Sequence, residues 1–145
     1  MKTETEALAD LYTTLIDSRE GYEEAAEAVD SPHLQSLFED LSARRAQDAR
    51  EVRDFLKGAD VDLDDDGSIL GSAHRQFLEL KDSLSGDDEA IIAEVIRGEQ
   101  HLLDTYDEAI QPMTGESAAY RFAKAHYMSL ADRLDDLKGE KRKAA

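Results

Sequence analysis

In the stretch RGEQHLLDTY, Arg97 to Tyr106, the side chain best placed to do chemistry is Glu99. It falls on the seam Ile92, Val95, Glu99, Leu102, Tyr106, whose steps of three, four, three and four trace one face of a helix. A carboxylate on an apolar seam needs a metal, a cation or a proton beside it. The other long helical segments interrupt their seams in the same way: at Arg19, with Asp17 and Glu20 beside it, at Arg45 and Asp48, and at His126. All lie near the middle of their segments. Mid-helix positions of equal antiparallel helices share one level whichever way each helix points, so these groups are expected to meet in one internal layer.

Carboxylates and imidazoles converging from four helices are what a di-iron or di-manganese site is built from: a Glu from each of two helices and a Glu-x-x-His pair from each of the other two. Glu99 fits as one lone Glu and Glu20 as the other. The pairs are missing, however. At that spacing the second segment offers Arg45 and Asp48, and the fourth offers Ala123 and His126. A guanidinium stays protonated and has no lone pair for a metal, so Arg45 is expected to replace the metal charge. The favoured reading is an ion network of Arg19, Arg45, Asp48, Glu99 and His126, in which the arginines donate to Glu99, Asp48 and Glu20. The alternative is a divergent iron or manganese site ligated by Glu20, Asp48, Glu99 and His126. Tyr22 and Tyr106, on the seams, are expected to turn their hydroxyls toward the layer.

Positioning this layer requires four long helices. The apolar spacing predicts them over about Glu4 to Val29, Pro32 to Lys57, Asp87 to Ile110 and Glu116 to Leu137, with no strand alternation anywhere. Ser31 is the expected N-cap of the second and Gly58 its stop; Ser85 is the expected cap of the third. The inward stripe of the second is Leu34, Phe38, Leu41, Arg45, Asp48, Val52 and Phe55. A short extra helix from about Ser72 to Leu84 lies in the long connection. Two tight turns and one long connection predict an all-α, ferritin-like four-helix bundle: two antiparallel hairpins joined by a crossover. An up-down-up-down bundle with a fifth helix outside is the competing topology. The chain, 145 residues long, is read as a single domain with residues 1–3 and 139–145 frayed.

The acidic loop DVDLDDDGSILG places Asp62, Asp64 and Asp66 at the first, third and fifth positions of a calcium loop. Ala73 stands where the bidentate Glu is needed, so a solvated loop is expected rather than a calcium site. There is no glycine-rich phosphate loop, nucleophile elbow or His-Glu-x-x-His, and no catalytic residue is assigned. Ser72 and His74 sit at a helix start, where Ser caps, and His33 and His101 read as surface residues. The chain has no cysteine, which removes disulfides and thiolate chemistry. A net charge of −17 opposes binding to nucleic acid and anionic lipid. The preference for Asp and Arg suits a cytoplasm at high salt. No signal peptide or membrane span is read, and a cytoplasmic location is expected.

The runs DSREGYEEAAEAVDSPHLQSLFEDLSARR, GSILGSAHRQFLELKDSL and VIRGEQHLLDTYDEAI carry a resemblance. With Gly21 and Tyr22, Phe38 and Arg45, Gly71, His74 and Arg75, and Gly98, Glu99 and Tyr106 as cues, the chain resembles the ferritin-like bacterial four-helix-bundle proteins grouped as domain of unknown function 2383. The Glu99 to Tyr106 spacing is also similar to the first helix of rubrerythrins, where that Glu binds iron; the absent Glu-x-x-His pairs are the departure. The resemblance implies a ferritin-like fold and no catalytic residues. The function expected is therefore non-enzymatic, structural or interactive and stress-related, as a homodimer or with a protein partner. A basic protein docking on the acidic face is a further option, and an oxidase or storage protein is the metal-dependent one.

Overall fold

The computed structural model describes residues 3–63 and 87–144. Four helices account for most of them: α1 (Glu4–Ala28), α2 (Pro32–Phe55), α3 (Asp88–Ile110) and α4 (Ala118–Ala144). The expected helix at Ser72 to Leu84 lies outside the described residues, as do Ser72, His74, Asp64 and Asp66.

Each start has a local cause. Thr3 and Glu6 form a reciprocal capping box at α1, with Glu6 N donating to Thr3 Oγ1 and Thr3 N to Glu6 Oε1. Ser31 caps α2 by accepting from Leu34 N, and Pro32 follows with its φ already helical. The α3 cap is Asp87, accepting from Glu89 N at 2.9 Å, rather than the expected Ser85. Ser117 Oγ accepts from Tyr120 N as α4 begins. Gly58 has φ +90°, a left-handed turn just beyond α2 that a side chain would strain.

The largest departure from the sequence reading is at the end of α4, which continues beyond Leu137 to Ala144 through residues expected to fray. Lys141, Arg142 and Lys143 occupy its last turn, where positive charge complements the exposed carbonyls. The extension moves the middle of α4 away from His126 and toward Ala131.

Contacts at the helix ends fix the directions. The backbone amides of Asp30 and Ser31, after α1, donate to the two carboxylate oxygens of Asp88 at 2.8 and 3.0 Å, so α3 starts where α1 ends. Ser117 Oγ donates to Glu4 Oε2, so α4 starts where α1 starts. His33 at the start of α2 meets Glu140 near the end of α4. Relative to α1 the order is therefore up, down, down, up. This excludes the up-down-up-down topology and puts the two ends of the long connection at opposite ends of the bundle. α1 with α2, and α3 with α4, are the main packed pairs, and α1 against α3 joins them.

The apolar interior is divided in two. One cluster gathers Leu8, Leu11, Leu15, Val52, Leu102, Tyr106, Ala123 and Leu130; the other gathers Tyr22, Leu34, Phe38, Leu41, Ile91, Ile92 and Val95. Arg45, Asp48 and Glu99 are buried between them. Phe55, expected inward, lies at the edge and stacks on Phe122 at 4.6 Å between ring centroids. Among the described residues, no helix is long and apolar enough to cross a membrane.

Candidate functional site

Glu99 is 1 % exposed and is held from two other helices. Tyr22 Oη of α1 donates to its Oε1 at 2.9 Å, and Arg45 Nη2 of α2 donates to its Oε2. Arg45, 0 % exposed, also donates through Nη1 to Asp48 Oδ2 at 2.7 Å, and its guanidinium carbon lies 5.8 Å from the centroid of the Tyr22 ring. One guanidinium thus bridges two carboxylates from different helices and rests beside an aromatic ring, an arrangement a lysine could not reproduce.

Burial pushes the Glu99 carboxyl above the ordinary carboxylate range, against the opposing pull of Arg45 and the Tyr22 hydroxyl. For Arg45, burial works to lower the pKa, but the charges of Glu99 and Asp48 outweigh it and hold the guanidinium protonated more firmly than usual. Tyr22 is pushed well up by burial and by the Glu99 charge, so its phenol keeps the proton it donates.

A second polar group lies one to two turns along α2. Glu51 is six residues from Arg45, about 1.7 turns or 9 Å of rise, on the side of the first apolar cluster. His126 of α4 binds it: Nε2 is 2.9 Å from Glu51 Oε1, and Nδ1 is 3.0 Å from Tyr106 Oη of α3. Gln47 Nε2 donates to the other Glu51 oxygen. Burial works to raise the Glu51 pKa, but the hydrogen bonds from Gln47 and His126 bring it below the usual value. Tyr106 is raised by burial and by the Asp48 charge, and remains a phenol. Among the described residues, Asp48, Glu51 and His126 form the one group able to direct three metal-ligating atoms at a common point, all lying within 4.8 Å of one another. Asp48 belongs to both polar groups.

The expected set is therefore brought together only in part. Arg45, Asp48 and Glu99 meet as the seams require. Arg19 does not join them: its side chain is 32 % exposed and pairs with Glu20 and Glu23 of its own helix at 3.5 and 3.7 Å. A long side chain on the flank of α1 can reach water without leaving its seam. Glu20 pairs with Arg19 rather than with Arg45; burial raises its pKa, with the Arg19 charge opposing. His126 falls short of Glu99 because it lies only eight residues, about 12 Å, beyond Ala118 at the start of α4, and it meets Glu51 instead. The set Glu20, Asp48, Glu99, His126 is thus not a common cage. A di-metal centre does not fit around Glu99, because a permanently charged Arg45 occupies the space between the carboxylates. Both tyrosine hydroxyls do turn to polar partners.

Glu51 is the residue that sequence reasoning missed. Its one signal is Asp48–Ala49–Arg50–Glu51, two acids at i, i+3 with only the first on the seam. His33 and His101 are exposed, as expected. Asp62 is exposed, and the rest of the calcium-like loop is outside the described residues.

Among known proteins, the sequence family described as Domain of unknown function (DUF2383) matches residues 3–112, a span that covers α1, α2 and α3 with Arg45, Asp48, Glu51 and Glu99. No curated protein and no solved structure matches.

Proposed function

Because the chain belongs to the DUF2383 family, whose description names no activity, we propose from its own geometry that it is a non-enzymatic, ferritin-like helical-bundle protein with a structural or interaction role. In this reading an internal ion network stands where related bundles hold two metals. The observation that supports it is Arg45, fully buried at mid-bundle and donating to carboxylates of α2 and α3 at once. A guanidinium there supplies the positive charge that two carboxylates demand, and it cannot bind oxygen or change oxidation state.

Such a network adds little net stability over an apolar core of the same shape. It does penalise wrong pairings of four similar helices, since any shift of register separates Arg45 from Glu99 in a low-dielectric interior. A cytoplasmic protein whose surface is acidic and whose interior is locked in this way suits a scaffold or partner-binding role, as a homodimer or with a basic protein under stress.

The test is addition of ferrous iron under air to tag-free protein, followed by bound-metal analysis. The reading predicts no pair of tightly bound irons or manganese ions and no oxygen-dependent absorbance. Two equivalents of iron, lost on Glu99→Ala, would overturn it.

A further inference from the structure

We infer that Asp48, Glu51 and His126 form a mononuclear site for a divalent transition metal of the zinc type, beside the ion network and separate from the position of a di-metal centre. Three observations converge on it. The first is the donor set itself, one imidazole and two carboxylates drawn from two helices, with one ligand atom of each within 4.8 Å of the others. The donors of a bound zinc lie about 2.0–2.2 Å from the ion. His126 Nε2 and Glu51 Oε1, 2.9 Å apart, are already as close as neighbouring ligands of one ion, and Asp48, engaged by Arg45 and Arg44, would exchange part of that pairing for the metal.

The second is the support behind the imidazole. His126 Nδ1 meets Tyr106 Oη at 3.0 Å, with Tyr106 buried at 0 % exposure in the apolar interior. A metal-bound histidine needs its other ring nitrogen held by a fixed hydrogen-bond partner, which sets ring orientation and tautomer. Glu51 accepts only, so without metal Nε2 carries the proton it shares with that carboxylate, and the Tyr106 hydroxyl donates to Nδ1. When a metal takes Nε2, that proton is released to solvent and Nδ1 takes one up, its N–H then donating a hydrogen bond to the Tyr106 oxygen. No net proton change on the ring is required, because a phenol can serve either tautomer.

The third is charge and access. Arg45 is shared between Glu99 and Asp48, and Arg44 lies 3.5 Å from the other Asp48 oxygen, so the three carboxylates Glu99, Asp48 and Glu51 outnumber the guanidinium groups beside them, an imbalance that a divalent cation offsets. The Glu51 side chain is 39 % exposed and that of His126 is 11 % exposed, so the metal would enter from the surface and keep water in its remaining positions. The imidazole favours zinc, cobalt or nickel over magnesium or calcium. Arg45, donating to Asp48 at 2.7 Å, draws charge away from that ligand and limits the affinity. This makes a reversible site, open to solvent on one side, rather than a permanent structural one.

The experiment uses tag-free, chelator-stripped protein, titrated with zinc chloride by calorimetry and with cobalt chloride by visible absorbance. One equivalent of each is expected, zinc displacing cobalt, with magnesium unable to compete. Glu51→Gln and His126→Gln should remove the stoichiometric binding while circular dichroism shows intact helices. Tyr106→Phe should weaken it by roughly tenfold, the size of effect typical of a lost support to a metal-bound imidazole. Glu20→Gln should leave it unchanged. Failure of the wild-type protein to bind either ion would overturn the proposal, as would binding that survives Glu51→Gln. Since Glu51 is partly exposed and outside the ion network, its variant tests the site even if His126→Gln were to unfold. Two equivalents of iron dependent on Glu99 would count against the proposed function and not against this site.

Discussion

Arg45 and Glu99, fifty-four residues apart in the chain, meet in the middle of the bundle with neither side chain more than 1 % exposed. Their contact joins α2 to α3, two helices connected by the long crossover rather than by a turn. Tyr22 adds α1 to the same carboxylate. One acid therefore records the relative position of three helices, and its chemistry offers several ways to test the arrangement.

Removing the Tyr22 hydroxyl leaves Glu99 with Arg45 alone. Tyr22→Phe is expected to cost about 1–3 kcal/mol, the usual penalty for a buried acceptor that loses its donor. Urea unfolding measures it, and an unchanged midpoint would mean that Glu99 is reached by water.

The pH dependence follows from the sign of the Glu99 shift. Its folded pKa is raised above the ordinary 4.5, mainly by burial, so the folded state holds the proton more tightly than the unfolded chain does. This contribution to stability is fully present below about pH 4.5 and declines as pH rises through the folded pKa. Gln at this position does not titrate. The advantage of the wild type over Glu99→Gln should therefore shrink as pH is raised from 4 toward neutrality, as read from paired melting curves. Glu51 works in the opposite direction: its pKa is lowered, so its contribution is present above about 4.5 and is lost as pH falls through the folded value.

Asp88 clamps the turn between α1 and α2 by accepting from the amides of both Asp30 and Ser31. It also places negative charge in the first turn of α3, where helix amides are unpaired. Asp88→Ala should cost about 1–2 kcal/mol, and Asp88→Asn a smaller part of that. Hydrogen exchange at the Asp30 and Ser31 amides should quicken before the interior of the helices opens. Unchanged exchange at both amides would remove Asp88 from this role.

A net charge of −17 on so small a body favours expansion at low ionic strength. Raising salt from about 0.01 M to 1 M shortens the screening length from about 30 to 3 Å, and the melting temperature should rise accordingly. A flat melting temperature over this range would show that the surface acids are already compensated.

The sequence made the central pair legible because helix periodicity carries it. Glu99, Arg45 and Asp48 each sit where an apolar residue belongs, and each is buried. Periodicity alone cannot say where a long side chain ends. Arg19 occupies a seam position as well as Arg45 does, yet its guanidinium turns to Glu20 and Glu23 of its own helix. Levels along the bundle were less legible than faces, because they depend on how the start of each helix is offset against its neighbours. α4 starts level with α1, where Ser117 bonds Glu4, and His126 lies only eight residues, about 12 Å, beyond Ala118, which puts it level with Glu51 rather than Glu99. Glu51 itself was hidden by composition: among 34 acidic residues, one more carboxylate off the seam reads as a solvated face. The helix directions were legible from the connection lengths, two tight turns and one long connection, whereas the Asp88 clamp across the first turn leaves no pattern in the order of residues.

The central claim, that Arg45 and Glu99 are a buried pair holding the bundle in register, is tested most directly by a double-mutant cycle. Arg45→Met, Glu99→Gln and the double variant would be unfolded in urea at neutral pH beside the wild type. Arg45→Met alone should cost about 3–5 kcal/mol, since it leaves two carboxylates buried without their cation. The double variant should be less destabilised than the sum of the singles by at least about 1 kcal/mol. Single costs that simply add, to within about 0.5 kcal/mol, would contradict the account, because residues that do not touch behave in that way.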